Sequence, residues 1–205
     1  MTEFFLIRHG QTKANVLKIK QGNINTEITY LTKKGQQQAQ NLAERFDISF
    51  ADRIICSPLK RAQQTAAILN QKYQLPITLD NRLREISYGE WDGQKNADLR
   101  KLHPNAYNEY WNDALPTYKQ YAPHGESFED VIDRVSDFLE ESIKKYPDEK
   151  LICVTHGFTV KAAALTVVQP KSMMSIPEPR NTSITKVIGL SKEEWYLEFY
   201  NQLLN

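Results

Sequence analysis

The chain of 205 residues carries 26 basic and 25 acidic side chains, and its net charge of +1 disfavours nucleic acid and anionic membranes as partners. Hydrophobic residues make up 40% of the sequence and charged residues 25%, which is typical of a globular protein with one sizeable core. No apolar run approaches the roughly 20 residues of a membrane span, and the run 4–7 is too short for the core of a signal peptide. Cys56 and Cys153 lie in apolar runs that suggest no disulfide framework, so we expect a cytoplasmic protein.

Apolar runs and amphipathic stretches alternate along the chain and predict strands and helices in alternation. In order, these are a buried strand over 3–8, a long ordered loop over 11–30, a helix from the N-cap Thr32 to about Phe46, a strand over 53–56 and a helix over 59–73. They continue with a short strand over 77–79, helix and loop over 97–123, a helix capped by Ser127, a strand over 151–155, a helix over 158–168, and two late strands over 183–188 and 195–200.

This alternation predicts an α/β fold: a three-layer α/β/α sandwich with a mostly parallel central sheet. We expect a single domain over 1–205, with a helical and loop cap region at about 86–125. In such sheets, ligands bind beyond the carboxyl ends of the strands. His9, Ser57 and His156 all follow predicted strands, so one crevice can collect them.

The turn after the first strand, Arg8-His9-Gly10, has the composition of an anion site. Arg8 offers a charged fork for phosphate oxygens, Gly10 allows close backbone approach, and Asn15 adds a neutral donor. His9 can then attack the bound group. The alternative for His9 alone is a polar residue that is hydrogen-bonded within the fold.

Three further residues are candidates for the same site. Arg61 lies on the first turns of the helix after Ser57 and can point back over the sheet edge; the alternative is a solvated helix arginine. His156-Gly157 repeats the first arrangement. A cationic imidazole facing a bound phosphate is one interpretation of His156, and a strand-capping histidine that is hydrogen-bonded to the backbone is the alternative. Glu85, in an apolar-flanked loop, could protonate a leaving alcohol if bound phosphate charge raises its pKa.

The sequence lacks the residues that cysteine-based, metal-dependent, nucleotide-dependent or serine-based catalysis would need. The spacing from Cys56 to Arg61 is one residue short of a cysteine-phosphatase loop, and Cys153 has Thr159 where that arginine would stand. The four histidines are scattered without metal-ligand spacing. Glycine-rich nucleotide loops and a nucleophile elbow are absent from the sequence.

Taken in order, these residues closely resemble the histidine phosphatase superfamily, in its phosphoglycerate-mutase-like branch. The likeness spans nearly the whole chain. Its motifs are Leu6-Ile7-Arg8-His9-Gly10-Gln11-Thr12 with Asn15, Gln21-Gly22, Leu31-Thr32 through Ala39, Cys56-Ser57-Pro58-Leu59-Lys60-Arg61-Ala62, Leu83-Arg84-Glu85-Ile86-Ser87-Tyr88-Gly89, Gly125-Glu126-Ser127 and Val154-Thr155-His156-Gly157.

The resemblance implies a role for each matched position. His9 is the nucleophile that becomes phosphohistidine, and Glu85 is the acid that protonates the leaving group and then activates water. The phosphate is held by Arg8, Asn15, Arg61 and His156. The rest of the substrate is approached by Gln21, Gly22 and Tyr88. The resemblance implies no metal or other cofactor.

Departures from the family pattern bear on the substrate. The interval before Gly125 is short and aromatic, with Tyr107, Tyr110, Trp111, Tyr118 and Tyr121. It resembles the compact phosphatases in which this stretch forms part of the pocket wall; the alternative is that these rings pack in the core. The loop over 22–31 is longer than the usual link, and His124 replaces the usual glycine or proline.

We therefore expect a metal-independent hydrolase of small phosphomonoesters. One alternative is a phosphoglycerate mutase, which needs a longer enclosing insertion; another is a phosphate-binding domain without turnover. The expected partner is a small-molecule phosphoester, with no nucleic acid and no membrane, and the sequence leaves a homodimer open.

Overall fold

A computed structural model describes residues 1–111 and 113–204 and contains one six-stranded sheet with the order β3-β2-β4-β1-β5-β6. The strands are β1 (Thr2–Arg8), β2 (Arg53–Cys56), β3 (Ile77–Leu79), β4 (Lys150–Thr155), β5 (Ile184–Gly189) and β6 (Trp195–Gln202). β1 to β4 pair in parallel, while β5 pairs antiparallel with β1 and β6 antiparallel with β5. β5 is thus the strand that runs against the other five.

Six α-helices accompany the sheet among the described residues, with short 3₁₀ turns between them. They are α1 (Lys13–Val16), α2 (Lys33–Arg45), α3 (Lys60–Leu69), α4 (Asn96–Leu102), α5 (Phe128–Lys145) and α6 (Gly157–Val168). The predicted caps hold: Thr32 Oγ1 accepts from the Gly35 N–H, and Ser127 forms a capping box with Asp130. None of these helices is both long and apolar enough to cross a bilayer.

β1 separates two apolar layers because its side chains alternate between the faces of the sheet. Phe4 and Leu6 belong to the core beneath α5 and α6, whereas Phe5 and Ile7 belong to the core beneath α2 and α3. The predicted three-layer α/β/α sandwich is confirmed. The two cysteines also divide this way, since Cys153 lies in the first core and Cys56 in the second.

Two elements differ from the sequence prediction. The predicted loop over 11–30 contains α1, which Thr12 and Asn15 close with a capping box. The helix predicted over 59–73 ends at Leu69, because the Asn70 side chain bonds both the N–H and the C=O of Leu75 and turns the chain. Local side-chain to backbone bonds decide both differences.

The core makes a matched pair of substitutions informative. Leu139 in α5 is fully buried, whereas Leu102 at the end of α4 is 67% exposed. We expect Leu139→Ala to lower the free energy of unfolding by about 2–5 kcal/mol, because it removes buried methyl groups and leaves a cavity. Leu102→Ala is expected to change it by about 0.5 kcal/mol or less. Urea denaturation of both variants checks this; equal losses would contradict the assignment of α5 to the core.

Candidate active site

Three neighbouring strands bring the predicted polar residues to one sheet edge. Arg8 at the end of β1 pairs in register with Thr155 at the end of β4, so His9 and His156 follow at the same level. Cys56 at the end of β2 pairs with Val154, which places Ser57 one step below His156. The His9 and His156 ring centroids are 5.2 Å apart.

The tautomer of His9 follows from its hydrogen bond. His9 Nδ1 lies 2.7 Å from the Gly10 carbonyl oxygen, which can only accept, so Nδ1 carries the proton and Nε2 carries the lone pair. Burial and the charges of Arg61 and Arg8 hold the pKa of His9 well below its usual value. The imidazole is therefore neutral at neutral pH, and Nε2 is available as a nucleophile.

The turn after His9 is fixed by a close approach of two backbones. A Cβ on Gly10 would lie 2.4 Å from the Gly35 carbonyl oxygen at the start of α2, so only glycine fits there. The Gly10 N–H donates to Thr65 Oγ1 of α3 at 3.1 Å. Elements on both sides of the turn thereby hold the His9 backbone in place.

Arg61 in the first turn of α3 is a fully buried cation. Its Nη2 donates to the Gly22 carbonyl at 2.7 Å, its Nη1 to the Ile24 carbonyl at 3.0 Å, and its Nε to His156 Nδ1 at 3.1 Å. Burial lowers the pKa of Arg61 to about 10, so it stays charged at neutral pH. These bonds use three of its five N–H groups, and two remain for an anion.

His156 is also held neutral, by a chain of hydrogen bonds. Because Arg61 Nε only donates, His156 Nδ1 accepts, and Nε2–H donates to Ser57 Oγ at 2.7 Å. Burial and the charge of Arg61 lower the pKa of His156 well below its usual value. The sequence offers a cationic imidazole facing a bound phosphate as one interpretation, whereas the contacts that the ring makes with the described residues are those of a neutral one. Donation to phosphate requires the Nε2–H to leave Ser57.

Arg8 supplies the second positive charge. Its Nη1 donates to the Pro179 carbonyl at 2.5 Å and lies 3.7 Å from Glu178 Oε2. Its Nε is buried and has no hydrogen-bond partner within the part of the chain that the structure describes. An unpaired buried donor is costly, and an anion oxygen would satisfy it.

Glu85 lies beside the N-terminus of α6 and is buried. One oxygen accepts from the Ile86 N–H at 3.1 Å, and the other from the Phe158 N–H at 3.4 Å. Burial is the main cause that raises the pKa of Glu85, the charge of Glu178 adds to it, and Arg61 and Arg8 oppose it. The carboxyl therefore keeps its proton to higher pH than an ordinary glutamate, which suits a general acid.

A cavity of about 120 Å³, here called the active-site cavity, opens at this edge. Asn15 contributes to its wall, with its amide oxygen held by the Thr12 N–H and hydroxyl. Gly22 adopts φ +43° against Asp92, where a Cβ would clash. The lining residues are Arg8, Asn15, Ile19, Lys20, Gln21, Gly22, Glu85, Tyr88, Asn96, Asp113 and Glu178. His9, Arg61 and His156 do not line it; they lie buried beneath it.

The interval before Gly125 contributes Asp113 to the cavity wall, whereas its aromatic side chains do not line the cavity. Tyr107 and Tyr118 are buried in the core, while Tyr110, Trp111 and Tyr121 are exposed, and none of the five lines the active-site cavity. His124 is exposed and bonds to Glu90 outside the cavity.

Sequence reasoning misses three charged residues of the cavity wall, namely Lys20, Asp113 and Glu178. Lys20 precedes the matched Gln21-Gly22 pair, which is the one local signal that could have found it. Asp113 and Glu178 lie in segments without a chemical motif, and only the folded chain brings them to the site.

A neutral imidazole with a free Nε2, two guanidinium groups and a carboxyl with a raised pKa define a site for phosphoryl transfer through a histidine. Comparison with known proteins agrees. The sequence matches the histidine phosphatase superfamily (branch 1) over residues 4–203. The chain belongs to this family and is a phosphoric monoester hydrolase.

Three relatives illustrate the likeness. An uncharacterized phosphatase PhoE from Bacillus subtilis is 31% identical over 98% of this chain and 95% of its own length. A metal-independent phosphoserine phosphatase from Arabidopsis thaliana is 29% identical over 99% of this chain and 82% of its own. A solved mycobacterial glucosyl-3-phosphoglycerate phosphatase in complex with VO3 is 27% identical over 97% of this chain and 98% of its own, with a TM-score of 0.83.

The Ser57–His156–Arg61 chain can be tested with a pair of buried serines. We expect Ser57→Ala to lower the free energy of unfolding by about 1–3 kcal/mol and to strengthen inhibition by inorganic phosphate, because His156 Nε2–H loses its competing acceptor and can donate to the phosphate. Ser142 in α5 is equally buried and its side chain makes no hydrogen bond with described residues. Ser142→Ala is the control and should leave phosphate inhibition unchanged. The same phosphate inhibition constant in both variants would count against the chain.

Proposed function

We propose that this protein hydrolyses small phosphomonoesters through a phosphohistidine formed on His9 Nε2. The observation that carries the proposal is the 2.7 Å bond from Nδ1–H to the Gly10 carbonyl. It leaves Nε2 as the nucleophilic nitrogen of a neutral ring. Arg61, buried without a carboxylate in salt-bridge distance among the described residues, supplies the charge that draws phosphate to it.

In the first step, the lone pair of His9 Nε2 attacks phosphorus and the P–O bond to the alcohol breaks. The free N–H groups of Arg61 and the Nε of Arg8 hold the equatorial oxygens, with Asn15 as an added donor. Glu85 gives its proton to the departing oxygen, so the alcohol leaves neutral. The products of this step are the alcohol, the phosphorylated imidazole and the Glu85 carboxylate.

In the second step, the Glu85 carboxylate takes a proton from water while the water oxygen attacks phosphorus. The P–N bond breaks, and its electron pair returns to His9 Nε2. Inorganic phosphate leaves and the starting protonation states are restored. One difficult hydrolysis is thereby replaced by two displacements, and the His9 imidazole is a good leaving group in the second.

The size of the site supports a small substrate. A cavity of about 120 Å³ is well below the roughly 300–1,000 Å³ of sites for drug-sized ligands. Two relatives are named for phosphoserine and for glucosyl-3-phosphoglycerate. We propose a phosphorylated small metabolite as the substrate here, with the remainder of the alcohol reaching Gln21, Gly22 and Tyr88.

A cytoplasmic location is part of the proposal. Cys56 and Cys153 are both free and buried on opposite faces of the sheet. Burial raises the pKa of the Cys56 thiol to about 12, which keeps it protonated and unreactive. Such thiols fit a reducing compartment.

The covalent step is tested by removing the nucleophile. We expect His9→Ala to lose about 10³-fold or more of its activity on p-nitrophenyl phosphate and to take up no acid-labile phosphate from labelled substrate, because no nitrogen remains to accept the phosphoryl group. His124→Ala removes an exposed imidazole outside the cavity and serves as the control. Full turnover by His9→Ala would refute the mechanism.

The acid role of Glu85 is tested by leaving group and by pH. We expect Glu85→Gln to lose about 10²–10⁴-fold in kcat/KM with an alkyl phosphate and much less with p-nitrophenyl phosphate, whose leaving group needs less protonation. With the alkyl phosphate, wild-type activity should fall as pH rises through the raised pKa of Glu85, since the acid form is lost. The variant should lack this fall. Equal losses on both substrates would show that Glu85 is not the acid.

A further inference from the structure

The wall of the active-site cavity carries acidic side chains beside the phosphate position. Its lining includes three carboxyl groups, those of Glu85, Asp113 and Glu178, and two cations, Arg8 and Lys20. Glu85 has a role in proton transfer, but Asp113 and Glu178 have none in the mechanism above. Acidic groups beside a dianionic phosphate oppose its binding, so their presence calls for a positive charge on the substrate.

Glu178 borders the phosphate position directly. Its Oε2 lies 3.7 Å from Arg8 Nη1 and so close to Gly157, the first residue of α6, that a Cβ there would be 2.4 Å from it. Among the described residues, Arg8 is the one cation within salt-bridge distance of Glu178. A phosphate bound to Arg8 would therefore compete with Glu178 for this guanidinium group. A cationic group on the alcohol, within a few bonds of the ester oxygen, would then neutralise Glu178 in place of Arg8.

Asp113 and Glu178 act on the same part of the cavity. Both residues line the active-site cavity. Burial raises the pKa of Asp113 to about 6, the charge of Glu178 adds to this rise, and the charges of Lys20, Lys161 and Arg8 oppose it. An ammonium group bound near both would favour their charged forms.

Lys20 supplies the opposite charge on this wall. Its ammonium lies 4.1 Å from the centroid of the Tyr88 ring and makes no hydrogen bond or ion pair with residues 1–111 and 113–204. Its ring partner holds it in place but satisfies none of its three N–H donors. A carboxylate group on the substrate would accept hydrogen bonds from these donors.

We propose that Glu178, Asp113 and Lys20 are specificity-determining residues that select a small zwitterionic alcohol, one that carries an ammonium and a carboxylate group beside the phosphorylated hydroxyl. The inference rests on the proposed function, because it concerns the leaving-group side of the same site. The ammonium lies between Glu178 and Asp113, and the carboxylate meets Lys20. The small cavity fits an amino-acid-sized alcohol rather than a sugar conjugate.

The test is a square of four phosphomonoesters that differ in charge. O-phosphoserine carries both groups, phosphoethanolamine only the ammonium, 3-phosphoglycerate only the carboxylate, and β-glycerol phosphate neither. For the wild type we expect the highest kcat/KM with O-phosphoserine. Glu178→Gln should lower the ratio of kcat/KM for each ammonium substrate to kcat/KM for β-glycerol phosphate about 10- to 100-fold, as loss of a charged hydrogen bond does. The ratio is compared because Glu178 also contacts Arg8 and raises the pKa of Glu85, which act on every substrate.

Lys20→Met should complete the pattern by lowering kcat/KM for the two carboxylate substrates and leaving phosphoethanolamine little changed. The control is Glu193→Gln in the β5–β6 turn, an exposed carboxylate at the opposite end of the sheet, which should behave as the wild type with all four. A Glu178→Gln variant that loses equally on all four substrates, or gains on all four, would overturn the proposal.

Failure of this inference is distinguishable from failure of the proposed function. If β-glycerol phosphate and p-nitrophenyl phosphate are hydrolysed with dependence on His9 but the four substrates show no charge preference, the specificity proposal is wrong and the hydrolase mechanism stands. If none of the five phosphoesters is hydrolysed with dependence on His9, both are wrong.

Discussion

The structure depends on one buried cation. Arg61 has no exposed surface and no carboxylate within salt-bridge distance among the described residues; it is held by two carbonyl oxygens and an imidazole nitrogen. A buried charge with neutral acceptors alone is only partly compensated. The cation lies at the carboxyl edge of the sheet, where a phosphate dianion would neutralise it more fully than the more distant charges of Glu85 and Asp92 do. Burial, with this charge added to it, keeps both neighbouring imidazoles neutral, and this leaves the lone pair on His9 Nε2.

The parallel sheet explains how residues far apart in sequence share this cation. β1, β4 and β2 are adjacent and end in register, so the turns after them present His9, His156 and Ser57 to a common point. α3 starts just beyond β2 and carries Arg61 back over that point. The loop before α2 is fastened by the Gly10–Gly35 contact. Strand register therefore sets the relative positions of nucleophile and clamp, and helix starts add the donors.

Sequence reasoning predicted the parts that depend on local pattern. Strand periodicity located the turns that hold His9 and His156, and the family motifs assigned Arg61 and Glu85. It did not predict that His156 is neutral with both nitrogens occupied, because that follows from its contacts with Ser57 and Arg61, which are distant in sequence. Nor did it find Glu178 and Asp113, whose segments carry no motif. The role of the aromatic residues stayed open in the sequence because tyrosine serves equally well in a core or in a pocket wall, and burial of Tyr107 and Tyr118 decided for the core.

The most direct test of the central claim is a crystal structure of this chain with vanadate, an analogue of the transferring phosphoryl group. Our account predicts that vanadium bonds to His9 Nε2, and that Arg61 and Arg8 nitrogens donate to its equatorial oxygens. It also predicts that Glu85 contacts the apical oxygen opposite Nε2. Vanadate bound elsewhere on the molecule, with His9 Nε2 unliganded and Arg61 without an anion, would contradict it.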